Sequence, residues 1–243
     1  QMRVKPEEID AVLEDMILQG EVVSSSGNIY QLSSFTREDD SARQIARLVS
    51  EPPQHFDVVS ALEHIRSSMG IPMSQRQSEA VYMAFRHNLS IVTGPPGTGK
   101  TTIINTIINV LNQSGLSTAI AAPTGRAAKR ITETSGSDAV TIHRLLEYYY
   151  SESEDTMRFG KDAGNPLDYD AVIIDEASMI DLMLMNGLVS AIKPGTRLII
   201  VGDADQLPSV GAGNVLRDII ESEYIYCIKL TEIFRQAKES LIV

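Results

Sequence analysis

Apolar positions change their spacing along this chain, and the change predicts two regions of different architecture. Near the start, apolar side chains recur at helical intervals, first at Ile9, Val12 and Met16 and again over residues 35–49. From about residue 73 onward, short continuous apolar runs alternate with helical patterns instead. This alternation is typical of an α/β fold, in which a parallel sheet carries helices on both faces.

Five apolar runs in the second region are predicted to be the strands of that sheet. They cover residues 90–93, 117–121, 171–175, 197–201 and 225–230. A helix is predicted after the first of them, because apolar side chains recur at helical spacing from Ile104 to Leu111 and Gly115 is placed to end it. The polar run 151–164 is expected to form an exposed insertion loop.

Residues 5–32 predict a compact winged-helix-like unit made of a helix and a hairpin. Gly20 follows the helical pattern, and two β-rich runs flank the turn signal at residues 24–27. Such a unit could contact DNA, but acidic side chains crowd the exposed face of the helix, so we favour a scaffold role. These acidic side chains are Glu7, Glu8, Asp10, Glu14 and Asp15.

A Glu-Pro-Pro break at residues 51–53 divides the chain. We predict an N-terminal helical module over residues 1–50, a helical linker over residues 51–72, and an α/β domain over residues 73–243. A helix is predicted within the linker region at residues 57–69. The chain stops in an apolar run, so we expect it to be a piece of a longer protein.

The net charge of −11 limits how this chain can bind nucleic acid. A field of that sign repels a phosphate backbone, so any contact with DNA has to come from a local basic groove. A single cysteine, Cys227, excludes an internal disulfide framework and a cysteine metal cluster. No apolar run has the length of a membrane span and the start does not resemble a signal peptide, so we expect a cytoplasmic protein without a membrane partner.

The strongest chemical signal is a glycine-rich turn between the first predicted strand and its helix. Gly94, Gly99, Lys100 and Thr101 match the phosphate-loop spacing G-x-x-x-x-G-K-[ST]. Glycines let consecutive N–H groups turn toward phosphate oxygens, and the helix N-terminus that follows favours an anion. The pattern therefore predicts a nucleotide site in which Lys100 contacts the β- and γ-phosphates and the Thr101 hydroxyl binds Mg²⁺.

Two further strand ends bring acidic and amide side chains to the same predicted edge of the sheet. Asp175 and Glu176 follow a buried run, so Asp175 is a candidate Mg²⁺ ligand and Glu176 a candidate base for the attacking water. Alone, this pair could equally cap a helix. Asp203, Asp205 and Gln206 follow the next run, and Gln206 can both donate to a γ-phosphate oxygen and accept from water. The alternative for this segment is an ordinary turn.

Positive charge is concentrated in residues 122–130, which follow a strand and begin a helix with two arginines and a lysine. A phosphate-backbone contact and a solvated helix face both fit this cluster, and we favour the contact because the chain is otherwise acidic. His143 lacks a partner at metal-ligand spacing, so we predict a structural or DNA-contacting role. Arg235 could pair with a surface acid or act on the γ-phosphate, and the residues alone do not decide between these.

A series of motifs in this order resembles superfamily 1 helicases, in particular the RecD-like branch that translocates 5′ to 3′. They are a Q motif at residues 74–81, motif I at 94–101, motif Ia at 122–130, motif Ib at 141–146, motif II at 175–178, motif III at 202–211 and motif IV at 230–236. The resemblance covers residues 73–243 and implies a P-loop RecA-like sheet for them. The segment before it resembles the region that precedes the motor in stand-alone RecD-like helicases.

The resemblance implies roles for individual residues. It implies that Gln77 reads the adenine amino group, that Phe234 stacks on adenine and that Arg235 contacts the γ-phosphate. The implied catalytic residues are Lys100, Asp175, Glu176, Gln206 and Arg235. The implied ATP-binding residues are Gln77, Gly94, Pro95, Pro96, Gly97, Thr98, Gly99, Lys100, Thr101, Thr102, Phe234 and Arg235. Mg²⁺ binding is implied for Thr101 and Asp175, and contacts to single-stranded DNA for Thr124, Arg126, Thr141 and His143.

The family's motifs V and VI, which belong to a second RecA-like domain, are missing from the sequence. The resemblance therefore implies the first motor domain of an ATP-dependent helicase that uses Mg-ATP to move 5′ to 3′ on single-stranded DNA and unwind duplex. The fragment alone is expected to be a weak ATPase. The alternative is a nucleotide-dependent switch subunit of an exonuclease V-type complex, with protein partners in recombination or repair. A small-molecule kinase is a distant third, and RNA remains an alternative substrate because no residue visibly reads a 2′-hydroxyl.

Overall fold

The computed structural model describes residues 6–52, 73–152 and 155–233 of the 243-residue chain. Its helices are α1 (Pro6–Leu18), α2 (Leu32–Ser50), α3 (Gln75–Arg86), α4 (Lys100–Gln113), α5 (Gly125–Ser135), α6 (Ile142–Leu145), α7 (Leu182–Ala191) and α8 (Val215–Glu221). Its strands are β1 (Val22–Ser25), β2 (Asn28–Gln31), β3 (Leu89–Thr93), β4 (Thr118–Ala122), β5 (Val140–Thr141), β6 (Tyr148–Ser151), β7 (Thr156–Phe159), β8 (Ala171–Ile174), β9 (Arg197–Gly202) and β10 (Tyr226–Lys229). A short 3-10 helix covers Ala177–Met179.

Six strands form one parallel sheet in the order β10-β3-β9-β8-β4-β5. Every residue of β3, β8 and β9 is buried, as expected for strands that are covered on both faces. The predicted α/β fold is confirmed, and each of the five predicted strands is present. The sixth strand, β5, was not predicted because a two-residue strand has no measurable periodicity.

Helices cover both faces of this sheet and create two hydrophobic cores. Apolar side chains of α3, α4 and α5 pack on one face, and those of α2, α7 and α8 pack on the other. Because all six strands are parallel, their carboxyl ends meet at one edge, where the loops after β3, β4, β8 and β9 come together. That edge is where the predicted chemical residues lie.

Helix α2 comes from the N-terminal region but packs with α7 and α8 on one face of the main sheet. Leu48 is fully buried in the core beside α7. The Arg47 guanidinium donates to the Ile192 carbonyl at 2.8 Å, and the Asn88 side chain donates to the Glu51 carbonyl at 3.0 Å. The predicted division at residue 50 stays a prediction. The predicted helix at residues 57–69 lies outside the described residues.

Two antiparallel hairpins stand apart from the main sheet. β1 and β2 pair as predicted, through a two-residue turn in which Ser26 and Gly27 have positive φ angles of 51° and 81°. Within the predicted exposed insertion loop at residues 151–164, residues 155–158 are exposed, but β7 lies there and pairs with β6, with Tyr148 opposite Phe159. Hydrophobic periodicity does not indicate this short strand pair, because polar residues flank it. Among the helices of the described residues, none is long and apolar enough to cross a membrane.

Candidate nucleotide-binding site

A cavity of about 350 Å³ opens at the carboxyl edge of the sheet, beside the glycine-rich loop after β3. We call it the phosphate-loop cavity. It brings together residues from the loop, from the start of α4, and from the segments after β8 and β9. Its lining residues are Pro96, Gly97, Gly99, Lys100, Thr101, Thr102, Arg130, Asp175, Glu176 and Gln206. Six of the twelve predicted ATP-binding residues therefore line one cavity, together with the predicted catalytic residues Asp175, Glu176 and Gln206.

The glycines of the loop are required by its conformation. Gly99 has a φ of 86°, in the left-handed region, and a Cβ atom there would lie 2.1 Å from the Gln77 side-chain nitrogen. A Cβ atom on Gly94 would lie 2.7 Å from the Leu230 carbonyl oxygen. No other residue type fits either position without displacing its neighbours. Thr98, 1% exposed, braces the same turn by donating to the Pro95 carbonyl at 2.8 Å.

Lys100 begins α4 and folds back onto the loop. Its ammonium donates to the Gly94 carbonyl at 2.5 Å and to the Pro95 carbonyl at 3.2 Å. Both acceptors are neutral oxygens, whereas a phosphate oxygen is anionic and binds an ammonium more strongly. The lysine is thus held at the loop by bonds that a phosphate group can replace.

Gln77 connects α3 to the same loop. Its side-chain carbonyl accepts from the Ser74 backbone N–H at 2.9 Å and completes a capping box with the Ser74 hydroxyl. Its amide nitrogen donates to the Thr98 carbonyl at 3.1 Å, and the side chain is buried. Gln77 does not line the cavity. The predicted adenine contact stays a prediction.

Asp175 follows β8 and its carboxylate is largely removed from water. One oxygen accepts from the Glu176 backbone N–H at 2.9 Å. Burial raises the pKa of Asp175, and the Glu176 charge adds to this, while the Glu176 N–H and the cations Lys100 and Arg130 act in the opposite direction. A buried carboxylate whose anionic form is disfavoured has much to gain from a nearby cation.

Glu176 adopts a left-handed backbone conformation with a φ of 54°. Such a conformation costs a residue other than glycine on the order of 1–3 kcal/mol and is concentrated at functional sites. Its carboxylate Oε1 lies 3.8 Å from the Arg130 guanidinium. The backbone thus holds this side chain in the cavity wall at an energetic cost.

Gln206 is oriented by a buried acid from its own segment. Its amide nitrogen donates to Asp203 Oδ2 at 3.2 Å, and Asp203 is only 4% exposed. The Asp203 carboxylate also accepts from the Asp205 backbone N–H at 3.1 Å. Asp205 in turn pairs with Lys229 at 3.4 Å. Of the three polar residues predicted at this strand end, Gln206 reaches the cavity.

The four predicted DNA contacts occupy two helix starts near this edge. Thr124 caps α5 by accepting from the Ala127 N–H at 3.2 Å, and Thr141 caps α6 by accepting from the Arg144 N–H at 3.1 Å. The His143 ring packs edge-on against Tyr148, with centroids 5.1 Å apart. Thr124 and Arg126 line a second cavity of about 590 Å³, which we call the α5 groove. The DNA contacts stay predictions, and the structure gives Thr124, Thr141 and His143 structural partners as well.

A family model described as the AAA domain matches residues 77–212, which is more than half of the 243 residues. The chain belongs to the AAA domain family. The matched region begins at Gln77 and includes every residue that lines the phosphate-loop cavity.

Among curated proteins, this AAA domain is similar in sequence to RecD proteins. The ATP-dependent RecD2 DNA helicase of Deinococcus radiodurans is 38% identical over 223 residues, which cover 90% of this chain and 30% of the relative. The RecBCD enzyme subunit RecD of Mycolicibacterium smegmatis is 36% identical over 202 residues, covering 70% of this chain and 36% of the relative. Among solved structures, the Pif1 helicase from Candida albicans is similar, with 24% identity, a TM-score of 0.48, and coverage of 68% of this chain and 41% of the other.

The resemblance to RecD-like superfamily 1 helicases is confirmed by these curated relatives. The chain spans about a third of the length of each of them.

Sequence reasoning missed one residue of the AAA domain's cavity. Arg130 was grouped with the cations of residues 122–130 as a nucleic-acid contact, but it lines the phosphate-loop cavity and faces Glu176. No local sequence pattern indicates this contact, because it depends on β4 and β8 being neighbours in the sheet. Phe234 and Arg235 lie outside the described residues.

We expect Asp175→Asn to stabilise the metal-free AAA domain above acidic pH. In the unfolded chain Asp175 ionises near pH 3.9, and in the folded chain at a higher pH. Between these values the folded state binds more protons, so the free energy of unfolding falls as pH rises through the folded pKa. Asparagine keeps an acceptor for the Glu176 N–H and removes this loss, and each 1 kcal/mol recovered raises Tm by about 2–4 °C.

Thermal unfolding between pH 4 and pH 8, without Mg²⁺ or nucleotide, measures this effect. Asp170→Asn is the control of opposite sign, because hydrogen bonds from the Ser117 hydroxyl and backbone lower the pKa of Asp170. That variant is expected to be less stable than wild type by a nearly constant amount between pH 4 and pH 8, because the stabilisation by Asp170 is lost only as pH falls below the pKa of the unfolded chain. A lower Tm for Asp175→Asn than for wild type at pH 8 would contradict the role of burial at this carboxylate.

Proposed function

We propose that residues 73–243 form the first motor domain of an ATP-dependent DNA helicase that translocates 5′ to 3′ on single-stranded DNA. The observation that carries this proposal is the convergence at one cavity of the glycine-rich loop, Lys100, the two acids after β8 and the amide after β9. A triphosphate needs anion donors, a metal-binding oxygen set and a group that activates water. Residues that can serve these three functions line the same cavity.

The loop would bind the phosphates of ATP. Its N–H groups and the start of α4 favour an anion, and the Lys100 ammonium would exchange the Gly94 and Pro95 carbonyls for β- and γ-phosphate oxygens. Gln77 would read the adenine, and Phe234 and Arg235, outside the described residues, would complete the site.

Mg²⁺ fits the oxygen donors on one side of the cavity. The Thr101 hydroxyl and the Asp175 carboxylate both line it, and these are ligand types that Mg²⁺ prefers. When bound, Mg²⁺ would neutralise charge on the β- and γ-phosphates. The raised pKa of Asp175 supports this assignment, because a carboxylate buried at such a cost gains from a cation.

Hydrolysis would depend on Glu176 and Gln206. The Glu176 carboxylate would accept the proton of the attacking water, as a general base does. Gln206, whose amide nitrogen is held by Asp203, would use its amide oxygen to orient that water. Both side chains enter the cavity from adjacent strand ends, β8 and β9, so they can act on the same water.

The nucleic-acid strand would lie over the α5 groove. Arg126 and Lys129 are exposed there, beside the Thr124 hydroxyl, and their charges suit a phosphate backbone. Thr141 and His143 would extend this contact. RNA offers the same phosphates, so the choice of DNA rests on the RecD relatives and needs a direct comparison.

The test is ATP hydrolysis by the longest natural chain that contains these 243 residues, with and without single-stranded DNA. We expect DNA to raise kcat at least about tenfold, equivalent to ~1.4 kcal/mol of barrier, and RNA to raise it less. A 5′-tailed duplex should be unwound and a 3′-tailed duplex should not. Tight ATP binding without stimulation by either nucleic acid would overturn the motor proposal.

A second candidate is a nucleotide-dependent switch subunit of an exonuclease V-type recombination complex. It is favoured by the similarity to proteins named as RecBCD enzyme subunits. A switch would be stimulated by its protein partner, and a motor by single-stranded DNA. The same ATPase assay separates the two when partner and DNA are added one at a time.

A further inference from the structure

The phosphate-loop cavity and the α5 groove share a wall. Within residues 6–52, 73–152 and 155–233, two side chains line both cavities, Arg130 and Glu176. One cavity is the proposed place of ATP and the other the proposed place of the nucleic-acid strand. A change in the position of either side chain therefore alters both cavities.

The sheet order explains why these two residues meet. Arg130 lies on the helix that follows β4, Glu176 follows β8, and these strands are parallel neighbours. The guanidinium of Arg130 lies 3.8 Å from Glu176 Oε1. Its neighbour Lys129 instead pairs within the helix with Glu133, also at 3.8 Å. Arg130 is thus the groove cation that reaches out of its own helix to the acid proposed as base.

We propose that Arg130 is a positioning residue that holds Glu176 away from its water until a nucleic-acid phosphate draws Arg130 into the α5 groove. This inference rests on the proposed function and adds how that function is regulated. The ion pair directs the Glu176 carboxylate toward α5. Release of the pair would free Glu176 to turn toward the phosphate-loop cavity.

The exposure of the pair suits such an exchange. The Arg130 side chain is 71% exposed and the Glu176 side chain 28% exposed, so water screens the attraction and the pair is weak. A phosphate can accept two parallel hydrogen bonds from a guanidinium and competes well for it. Arg126 lies one helical turn earlier in the same groove, where it would bring the strand toward Arg130.

The test compares Arg130→Ala with wild type in the longest natural chain that contains these residues. Without nucleic acid, we expect kcat to rise roughly two- to fivefold, the range that an exposed ion pair supplies. At saturating oligo(dT), kcat should match wild type, so the stimulation ratio falls by the same factor. The KM for ATP should not change. Arg130→Lys keeps the charge and should give an intermediate ratio.

Arg43→Ala is the matched control. Arg43 is an exposed arginine on α2 that pairs with Asp39, and it should leave both rates unchanged. Equal losses of kcat with and without oligo(dT), together with a raised KM, would overturn the inference and assign Arg130 to an ATP phosphate. An unchanged basal rate with full stimulation would overturn it as well.

The failure of the proposed function has a different signature. A wild-type chain that oligo(dT) does not stimulate would overturn the motor proposal and the phosphate-driven release together. A raised basal kcat in Arg130→Ala would in that case still support the restraint of Glu176 by Arg130.

Discussion

Lys100→Ala is expected to weaken ATP binding roughly 10- to 150-fold and to bring hydrolysis below detection. The ammonium of Lys100 lies against the loop carbonyls of Gly94 and Pro95, where a triphosphate would take their place. Hydrogen bonds to charged groups contribute about 1.5–3 kcal/mol, which corresponds to that range of dissociation constants. Turnover falls further, because the charge that develops on the γ-phosphate also loses its cation.

Calorimetric titration with a non-hydrolysable ATP analogue measures the loss of affinity. Lys193→Ala is the control, because this substitution removes an equal charge and Lys193 pairs with Asp168 away from the cavity. Thermal unfolding should show that both variants fold. Wild-type affinity in Lys100→Ala would mean that the triphosphate is bound elsewhere.

Glu176→Gln is expected to leave ATP affinity unchanged and to lower kcat by about 10²–10⁴, the contribution of a general base. Glutamine is nearly isosteric and keeps an acceptor oxygen, but it does not take a proton at neutral pH. The backbone of Glu176, held at a φ of 54°, should be unaffected by the exchange of one side-chain atom. Binding and turnover are thus predicted to separate at this residue, whereas they fall together at Lys100.

Single-turnover hydrolysis and nucleotide titration on the same preparation test that separation. Glu221→Gln removes an exposed carboxylate that pairs with Arg217 within α8, and it should behave as wild type. If Glu176→Gln lost affinity as strongly as Lys100→Ala, Glu176 would belong to ATP binding and the base would have to be sought elsewhere.

The sheet and its chemical edge could be predicted from the sequence because buried parallel strands are short, apolar and continuous. β8 ends at Ile174 and β9 at Gly202, and the polar residues that follow mark both ends in the sequence. β5 and the hairpin of β6 and β7 could not be predicted, because two to four residues of mixed polarity carry too little periodicity.

Side-chain partners were harder to predict than strand ends. The spacing of Ser74 and Gln77 is that of a capping box, but it carries no information on the bond from Gln77 to Thr98. Arg130 was placed with the correct helix, but its contact with Glu176 depends on which strands are neighbours. Strand order is a long-range property, and local patterns do not contain it.

The packing of α2 extends the buried core of this domain beyond the residues that the family model matches. The family model begins at residue 77, yet the buried side of α7 is completed by Leu48, and the start of β3 is tied through Asn88 to Glu51. A fragment that begins at residue 77 would expose to water the apolar side chains of α7 that pack against α2. The segment before the motifs therefore covers apolar side chains that the matched residues alone would leave exposed.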